Sequence, residues 1–140
     1  MDNLTNSIDQ VVEENALPHE WSKDVLAELK DLEVKNILRD DLRKVPFVTI
    51  DGKDAKDFDD AVFCEANEYG FVLQVAIADV AEIVELDSFI DKEAFLRGTS
   101  IYFPKRVIPM LPEKISNNLC SLVPNEDRNV LVCKINYSKE

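Results

Sequence analysis

Residues 71–80, which read FVLQVAIADV, limit the fold more than any other part of the sequence. They are apolar at nearly every position and lack the alternation of a strand with one solvated face. A shorter strand pattern at residues 61–66 precedes them, and residues 67–70 supply a tight connection in which we expect Gly70 to have positive φ. The sequence therefore predicts a hairpin whose second strand is central in a sheet and covered on both faces.

Apolar stripes predict two helices in the first 45 residues. The stripe around Ile8 ends before Pro18, because proline interrupts a helix. Residues 34–44 are charged and weakly periodic, which is typical of a linker. The second stripe recurs every three or four residues at Trp21, Val25, Leu29 and Leu32.

In addition to the hairpin, the sequence predicts one more helix and two more strands. Ser88 and Asp91 have the spacing of a capping box, and Gly98 is placed to end the helix that follows. Alternating β-branched residues predict strands at 47–50 and 130–137, and three prolines between residues 104 and 112 predict an extended loop. The predicted fold class is α+β, with a mixed, mostly antiparallel sheet and flanking helices.

Composition excludes several functional classes. The formal net charge of −12 over 140 residues excludes a simple basic nucleic-acid module. No apolar run approaches the ~20 residues of a membrane span, and no secretory leader is visible, so we expect a cytoplasmic protein without a membrane partner. Cys64, Cys120 and Cys133 form no CxxC pair, which argues against zinc; we predict three buried thiols in a reducing compartment.

An acidic run lies between two predicted strands at residues 49–61, TIDGKDAKDFDDA. Carboxylates ~4 Å apart repel by about 1 kcal/mol even in water, so the run is either a solvated turn or a cation site. Apolar Ile50 and Phe58 would pin it to the core, which favours a cation site. Its aspartates are Asp51, Asp54, Asp57, Asp59 and Asp60.

Magnesium suits this run better than calcium. Lys53 and Ala55 stand where a calcium loop needs oxygen ligands. Mg²⁺ takes only one or two carboxylates per ion and fills its remaining positions with water and phosphate oxygens. Two such ions ~4 Å apart can serve phosphodiester cleavage, because they stabilise both the attacking and the leaving oxygen.

Four strings follow one another in the sequence: VTIDGKDAKDFDDAV, VLQVAIADV, DKEAFLRGTSIYFP and VIPMLPEKISNNLCSL. Together they resemble the start of the catalytic RNB domain of the ribonuclease II and ribonuclease R family. LPHEW and the helix after it resemble the lead-in from that family's second cold-shock domain. The resemblance implies a helical lead-in or linker from an upstream RNA-binding domain at 1–45, and the amino-terminal portion of the catalytic domain at 46–140.

Members of that family are processive 3′-to-5′ exoribonucleases that use Mg²⁺ to hydrolyse single-stranded RNA to nucleoside 5′-monophosphates. The resemblance implies that the catalytic and metal-binding set is Asp51, Asp57, Asp59 and Asp60, with Mn²⁺ as a substitute ion. In that pattern Asp51 and Asp60 are direct ligands, Asp57 supports the site, and turnover depends most on Asp59. Asp54 matches an acid common in the ribonuclease R branch and is read as a turn residue.

The resemblance also implies RNA contacts by Tyr102, flanked by Arg97, Lys105 and Arg106. A base stacked on an aromatic ring gains ~1–3 kcal/mol, whatever its sequence. From the residues alone, Tyr102 is equally a half-buried core tyrosine and the cations equally solvated surface. At residues 81–83 this sequence reads Ala-Glu-Ile, whereas many ribonuclease R members have a Ser-His-Tyr type continuation.

The family's other parts include cold-shock domains, the rest of the RNB domain with its catalytic arginine, and an S1 domain. We expect them elsewhere in a longer protein, so that this chain alone is inactive. Two other functions stay open at this point: a non-catalytic RNA-binding or regulatory relative of the same fold, and an acidic interaction domain that binds no metal.

Overall fold

The computed structural model describes residues 3–35 and 37–139, so Met1, Asp2, Asn36 and Glu140 lie outside the described part. In chain order the elements are α1 (Asn3–Glu14), α2 (Lys23–Glu28), β1 (Asp60–Ala66), β2 (Gly70–Ala78), α3 (Val80–Ile83), α4 (Phe89–Arg97), β3 (Ile101–Phe103), β4 (Arg106–Ile108), a π-helical turn (Ile115–Leu119) and β5 (Val130–Ser138). Among them we find no helix with both the length and the apolar character that crossing a membrane requires.

The chain divides into two compact units, each built from two stretches of sequence. The helical unit comprises Met1–Leu32 and Val84–Pro112. The sheet unit comprises Glu33–Ile83 and Glu113–Glu140. The domain boundary predicted between residues 45 and 46 stays a prediction.

The core of the helical unit joins α1 to a short hairpin. Ile8 and Val12 of α1 are buried together with Ile108 of β4. The hairpin of β3 and β4 occupies the segment that the prolines predicted as an extended loop, so that prediction is wrong there. Proline permits it because Pro104 lies in the turn, outside both strands.

The second predicted helix is shorter than its apolar stripe. Ser22 caps α2, because its hydroxyl accepts a hydrogen bond from the backbone N–H of Val25 at 3.2 Å. Trp21 therefore precedes the helix, and Leu32 follows it. The capping prediction for α4 is confirmed in part, since Ser88 accepts from Asp91 N–H at 3.1 Å and Gly98 ends the helix at φ 70°. The carboxylate of Asp91 accepts from the N–H of Asp87 at 2.9 Å, and not from that of Ser88 as a capping box requires.

The sheet unit is built on the predicted hairpin. Strands β1, β2 and β5 form one antiparallel sheet in that order, which confirms β2 as the central strand. The side chain of Asn67 shapes the turn, because its Oδ1 accepts hydrogen bonds from the N–H groups of Tyr69 and Gly70 at 2.9 and 2.8 Å. The φ of Gly70 is +158°, positive as predicted but close to extended backbone, so space is the stronger reason for glycine here.

Two predictions about the sheet unit are wrong. Residues 47–50 make no strand; Val48 forms a single antiparallel bridge with Val62 before the chain enters the acidic run. Strand β2 is not covered on both faces in the described structure. Phe71 and Ile77 are about half exposed, at 49% and 45%, whereas Val72 on the opposite face is buried.

The cysteines differ from one another, so the prediction of three buried thiols holds only for Cys120. Cys64 and Cys133 are exposed, because their register positions on β1 and β5 share the open face of the sheet. The pKa of the Cys120 thiol is raised to about 11. Burial is the largest cause, and the nearby carboxylate of Asp59 is the second.

We therefore expect selective labelling of the native protein by iodoacetamide at pH 8. The thiolate is the reactive form, so Cys64 and Cys133 should be modified readily and Cys120 only after unfolding. Mass spectrometry of the labelled peptides measures each rate. Equal rates for Cys120 and Cys64 in the folded protein would contradict the burial of Cys120.

Candidate active site

The acidic loop, defined as residues 51–60, leads directly into β1. Its last residue, Asp60, opens that strand opposite Ile77 of β2. The carbonyl oxygen of Asp59 accepts a hydrogen bond from the N–H of Ala78 at 2.9 Å. The carboxyl-terminal end of the loop is therefore held by the end of the central strand.

A second attachment holds the middle of the loop. The buried hydroxyl of Ser121 donates to the carbonyl oxygen of Lys56 at 2.7 Å and accepts from the N–H of Phe58 at 3.1 Å. Leu122 adds a backbone hydrogen bond, from its N–H to the carbonyl oxygen of Phe58, at 2.9 Å. These bonds flank Asp57, which is half-buried.

The pKa of Asp59 indicates which carboxylates lie near it. Burial around the carboxyl group raises its pKa above the ordinary value of 3.8, and the charges of Asp57, Asp60 and Asp51 raise it further. The three carboxylates that act on Asp59 are the other members of the predicted catalytic set. The structure thus brings the other three predicted aspartates within electrostatic reach of Asp59. A cation bound among them would favour the ionised form of Asp59.

The donor chemistry of the loop fits Mg²⁺. Carboxylate oxygens are its preferred protein ligands, and Asp51, Asp59 and Asp60 are reachable from solvent. Within residues 3–35 and 37–139, no three acidic, histidine or cysteine side chains are already arranged around one cation position. A site with fewer than three such side chains is compatible with Mg²⁺, because this ion takes one or two carboxylates and completes its shell with water and phosphate oxygens.

Arg97, one of the predicted RNA contacts, is occupied inside the helical unit. Its side chain is 2% exposed and pairs with Glu93 at 2.9 Å. It also donates to the carbonyl oxygens of Pro109 and Glu20, at 3.1 and 2.7 Å, and its guanidinium lies 3.6 Å from the ring centre of Trp21. These contacts give Arg97 a structural role, and they leave its predicted contact with RNA without geometric support.

Tyr102 and Arg106 also belong to the helical unit, whereas the aspartates belong to the sheet unit. Tyr102 on β3 is 66% exposed, so its ring has a surface that a base could stack on. Arg106 on β4 donates to Asp9 of α1 at 2.6 Å and keeps about a third of its side chain exposed. Both residues therefore stay predicted RNA contacts.

Sequence reasoning missed an ion-pair cluster beside the site. Arg39 donates to Asp79 at 2.6 Å, to Glu82 at 2.7 Å and to the carbonyl oxygen of Val130 at 3.3 Å. It ties the linker before the acidic loop to α3 and to the start of β5. Asp79 immediately precedes α3 and Glu82 follows three positions later, and this spacing is the signal that could have indicated a shared partner.

Comparison with known proteins assigns the family. A family model described as the RNB domain matches residues 39–140. The chain belongs to the RNB family. This finding confirms the resemblance read from the sequence. The Ribonuclease R of Acidithiobacillus ferrooxidans is 54% identical over 133 residues, which cover 91% of this chain and 30% of that relative.

Solved RNB structures confirm the α+β fold. RNase R of Mycoplasma genitalium, in complex with double-stranded RNA, matches with a TM-score of 0.91 and 39% identity over 98% of this chain. The same enzyme in complex with ribose methylated single-stranded RNA matches with a TM-score of 0.90, also at 39% identity over 98% of this chain. The chain corresponds to only 25% and 22% of those chains, less than a third of their length.

Proposed function

We propose that the whole protein is a Mg²⁺-dependent, hydrolytic 3′-to-5′ exoribonuclease that degrades single-stranded RNA and releases nucleoside 5′-monophosphates. One observation carries the proposal: in a chain of the RNB family, burial and the charges of three neighbouring aspartates raise the pKa of a fourth, Asp59. The names of its relatives, which include Ribonuclease R and RNase R bound to RNA, support the same activity.

The proposed division of labour follows the loop. Asp51 and Asp60 would bind Mg²⁺, or Mn²⁺ in its place, while Asp57 supports their arrangement. When bound, the cation supplies positive charge to the oxygens of the scissile phosphate. Burial and the three neighbouring carboxylates raise the pKa of Asp59, so a cation bound at this site would favour its ionised form. We therefore assign to Asp59 the largest effect on turnover.

RNA binding needs positive charge that this chain does not have in excess. With a net charge of −12, it would attract phosphate through the bound cations and through other parts of the whole protein. We propose that cold-shock domains, the remainder of the RNB domain and an S1 domain supply that charge. Tyr102 would stack on a nucleotide base. We expect no exonuclease activity from the 140 residues alone, and a cytoplasmic location stays a prediction.

The direct test uses the full-length protein and a single-stranded RNA labelled at its 5′ end. With Mg²⁺ we expect the labelled strand to shorten from its 3′ end while nucleoside 5′-monophosphates accumulate, and we expect no reaction in EDTA. Gel analysis follows the strand, and mass spectrometry identifies the product. RNA binding without product would favour the non-catalytic relative of the same fold, and internal cleavage would contradict exonuclease action.

A further inference from the structure

We propose that Ser121 is a positioning residue that holds the acidic loop in the conformation in which its aspartates bind a cation. The inference rests on the proposed function, because it concerns the same aspartates. It adds a residue about sixty positions along the chain from the loop, outside the aspartate set that the resemblance implies.

The hydroxyl of Ser121 joins the two residues on either side of Asp57. Its O–H donates to the carbonyl oxygen of Lys56 at 2.7 Å, and its oxygen accepts from the N–H of Phe58 at 3.1 Å. A serine hydroxyl has one donor and can accept as well, so both bonds can form together. Since Ser121 is 0% exposed, water does not compete for these bonds, and the backbone around Asp57 is fixed.

Ser121 is itself rigidly held. Its N–H donates to the carbonyl oxygen of Asn118, in the π-helical turn, at 3.2 Å. Its own carbonyl oxygen accepts from Nε of Arg128 at 3.0 Å. The next residue, Leu122, donates its N–H to the carbonyl oxygen of Phe58 at 2.9 Å, which makes a second link to the loop. Ser121 thus links the loop to the π-helical turn and to Arg128.

Two anchors therefore enclose the central part of the site. Ser121 holds the backbone at Lys56 and Phe58, and the N–H of Ala78 holds the carbonyl of Asp59 at 2.9 Å. Asp57 and Asp59 lie at or between these anchors. Mutual repulsion of the carboxylates favours an open loop when no cation is present. The anchors oppose that opening. The loop is therefore already ordered before a cation binds, and binding costs less conformational entropy.

The test compares three variants of the full-length protein with the wild type. Ser121→Ala removes the hydroxyl, and Ser121→Thr keeps it. Ser88→Ala is the matched control, because it removes a serine hydroxyl that caps α4 with a 3.1 Å bond in the other unit. Hydrogen–deuterium exchange of peptides covering residues 51–60 reports on the loop without metal. Electron paramagnetic resonance of free Mn²⁺ gives the metal dissociation constant.

We expect Ser121→Ala to speed exchange in residues 51–60 and to weaken Mn²⁺ binding by about tenfold, the lower end of what loss of a residue supporting metal ligands costs. Ser121→Thr should restore both, and Ser88→Ala should change neither. The positioning role is overturned if Ser121→Ala leaves exchange and affinity unchanged, or if Ser88→Ala weakens Mn²⁺ binding equally.

The two proposals can fail separately. If the wild type binds no Mn²⁺, the metal-dependent function fails, and the cation role of Ser121 fails with it. Faster loop exchange in Ser121→Ala would still establish that Ser121 holds the loop. If the wild type binds Mn²⁺ and Ser121→Ala behaves like it in both measurements, the function stands and the positioning role does not.

Discussion

Replacing Asp59 with Asn in the full-length protein is expected to slow mononucleotide release by about a hundredfold or more, while the affinity for RNA stays close to that of the wild type. Asparagine keeps the shape of the side chain but removes its charge. Asp59 is the carboxylate whose pKa is raised by burial and by Asp57, Asp60 and Asp51. Because its charge is proposed to act as the phosphate reacts, the loss should appear in the rate of the chemical step and not in binding.

Asp54→Asn is the matched control for this experiment. It makes the same change of charge in the same loop, at an exposed residue that is read as a turn residue and has no role in catalysis or metal binding. We expect its activity to stay within about twofold of the wild type, as for most surface substitutions. Single-turnover rates on labelled RNA and fluorescence anisotropy without metal measure chemistry and binding separately. Wild-type turnover by Asp59→Asn, or an equal loss in Asp54→Asn, would remove Asp59 from its proposed role.

The grouping of the aspartates could be predicted because it is local. Asp51, Asp57, Asp59 and Asp60 lie within ten positions, and the β1–β2 hairpin that follows them is also local. Short-range periodicity and turn chemistry are enough to place such elements. The prediction of a strand at residues 47–50 was wrong for the opposite reason. Strand formation depends on pairing with another segment, and within residues 3–35 and 37–139 the single bridge from this stretch is that of Val48 with Val62.

The supports of the site could not be predicted, because their partners are distant in sequence. Ser121 contacts Lys56 and Phe58 across 65 and 63 positions, and no pattern within either segment indicates the other. Arg97 shows a related limit. A cation near Tyr102 in the sequence suggests a phosphate contact, but its donors are used by Glu93 and by carbonyl groups that only the folded chain brings near.

Gly70→Ala should destabilise the sheet unit. Gly70 opens β2 opposite Ser138 of β5. A Cβ atom built on Gly70 would lie 1.9 Å from the carbonyl oxygen of Tyr137 and 2.9 Å from its carbonyl carbon. Both are backbone atoms, so no side chain can rotate away to make room. The methyl group can be accommodated only if β2 and β5 separate at this end.

We expect Gly70→Ala to lower the free energy of unfolding of the 140-residue chain by about 3 kcal/mol, the upper part of the range for overpacking. Gly52→Ala is the control, because a Cβ there meets nothing within 4 Å, and its stability should equal the wild type. Urea unfolding followed by circular dichroism measures both. Equal stability of the two variants would show that β5 moves aside at little cost. In that case, close pairing of β2 with β5 would not explain the glycine at position 70.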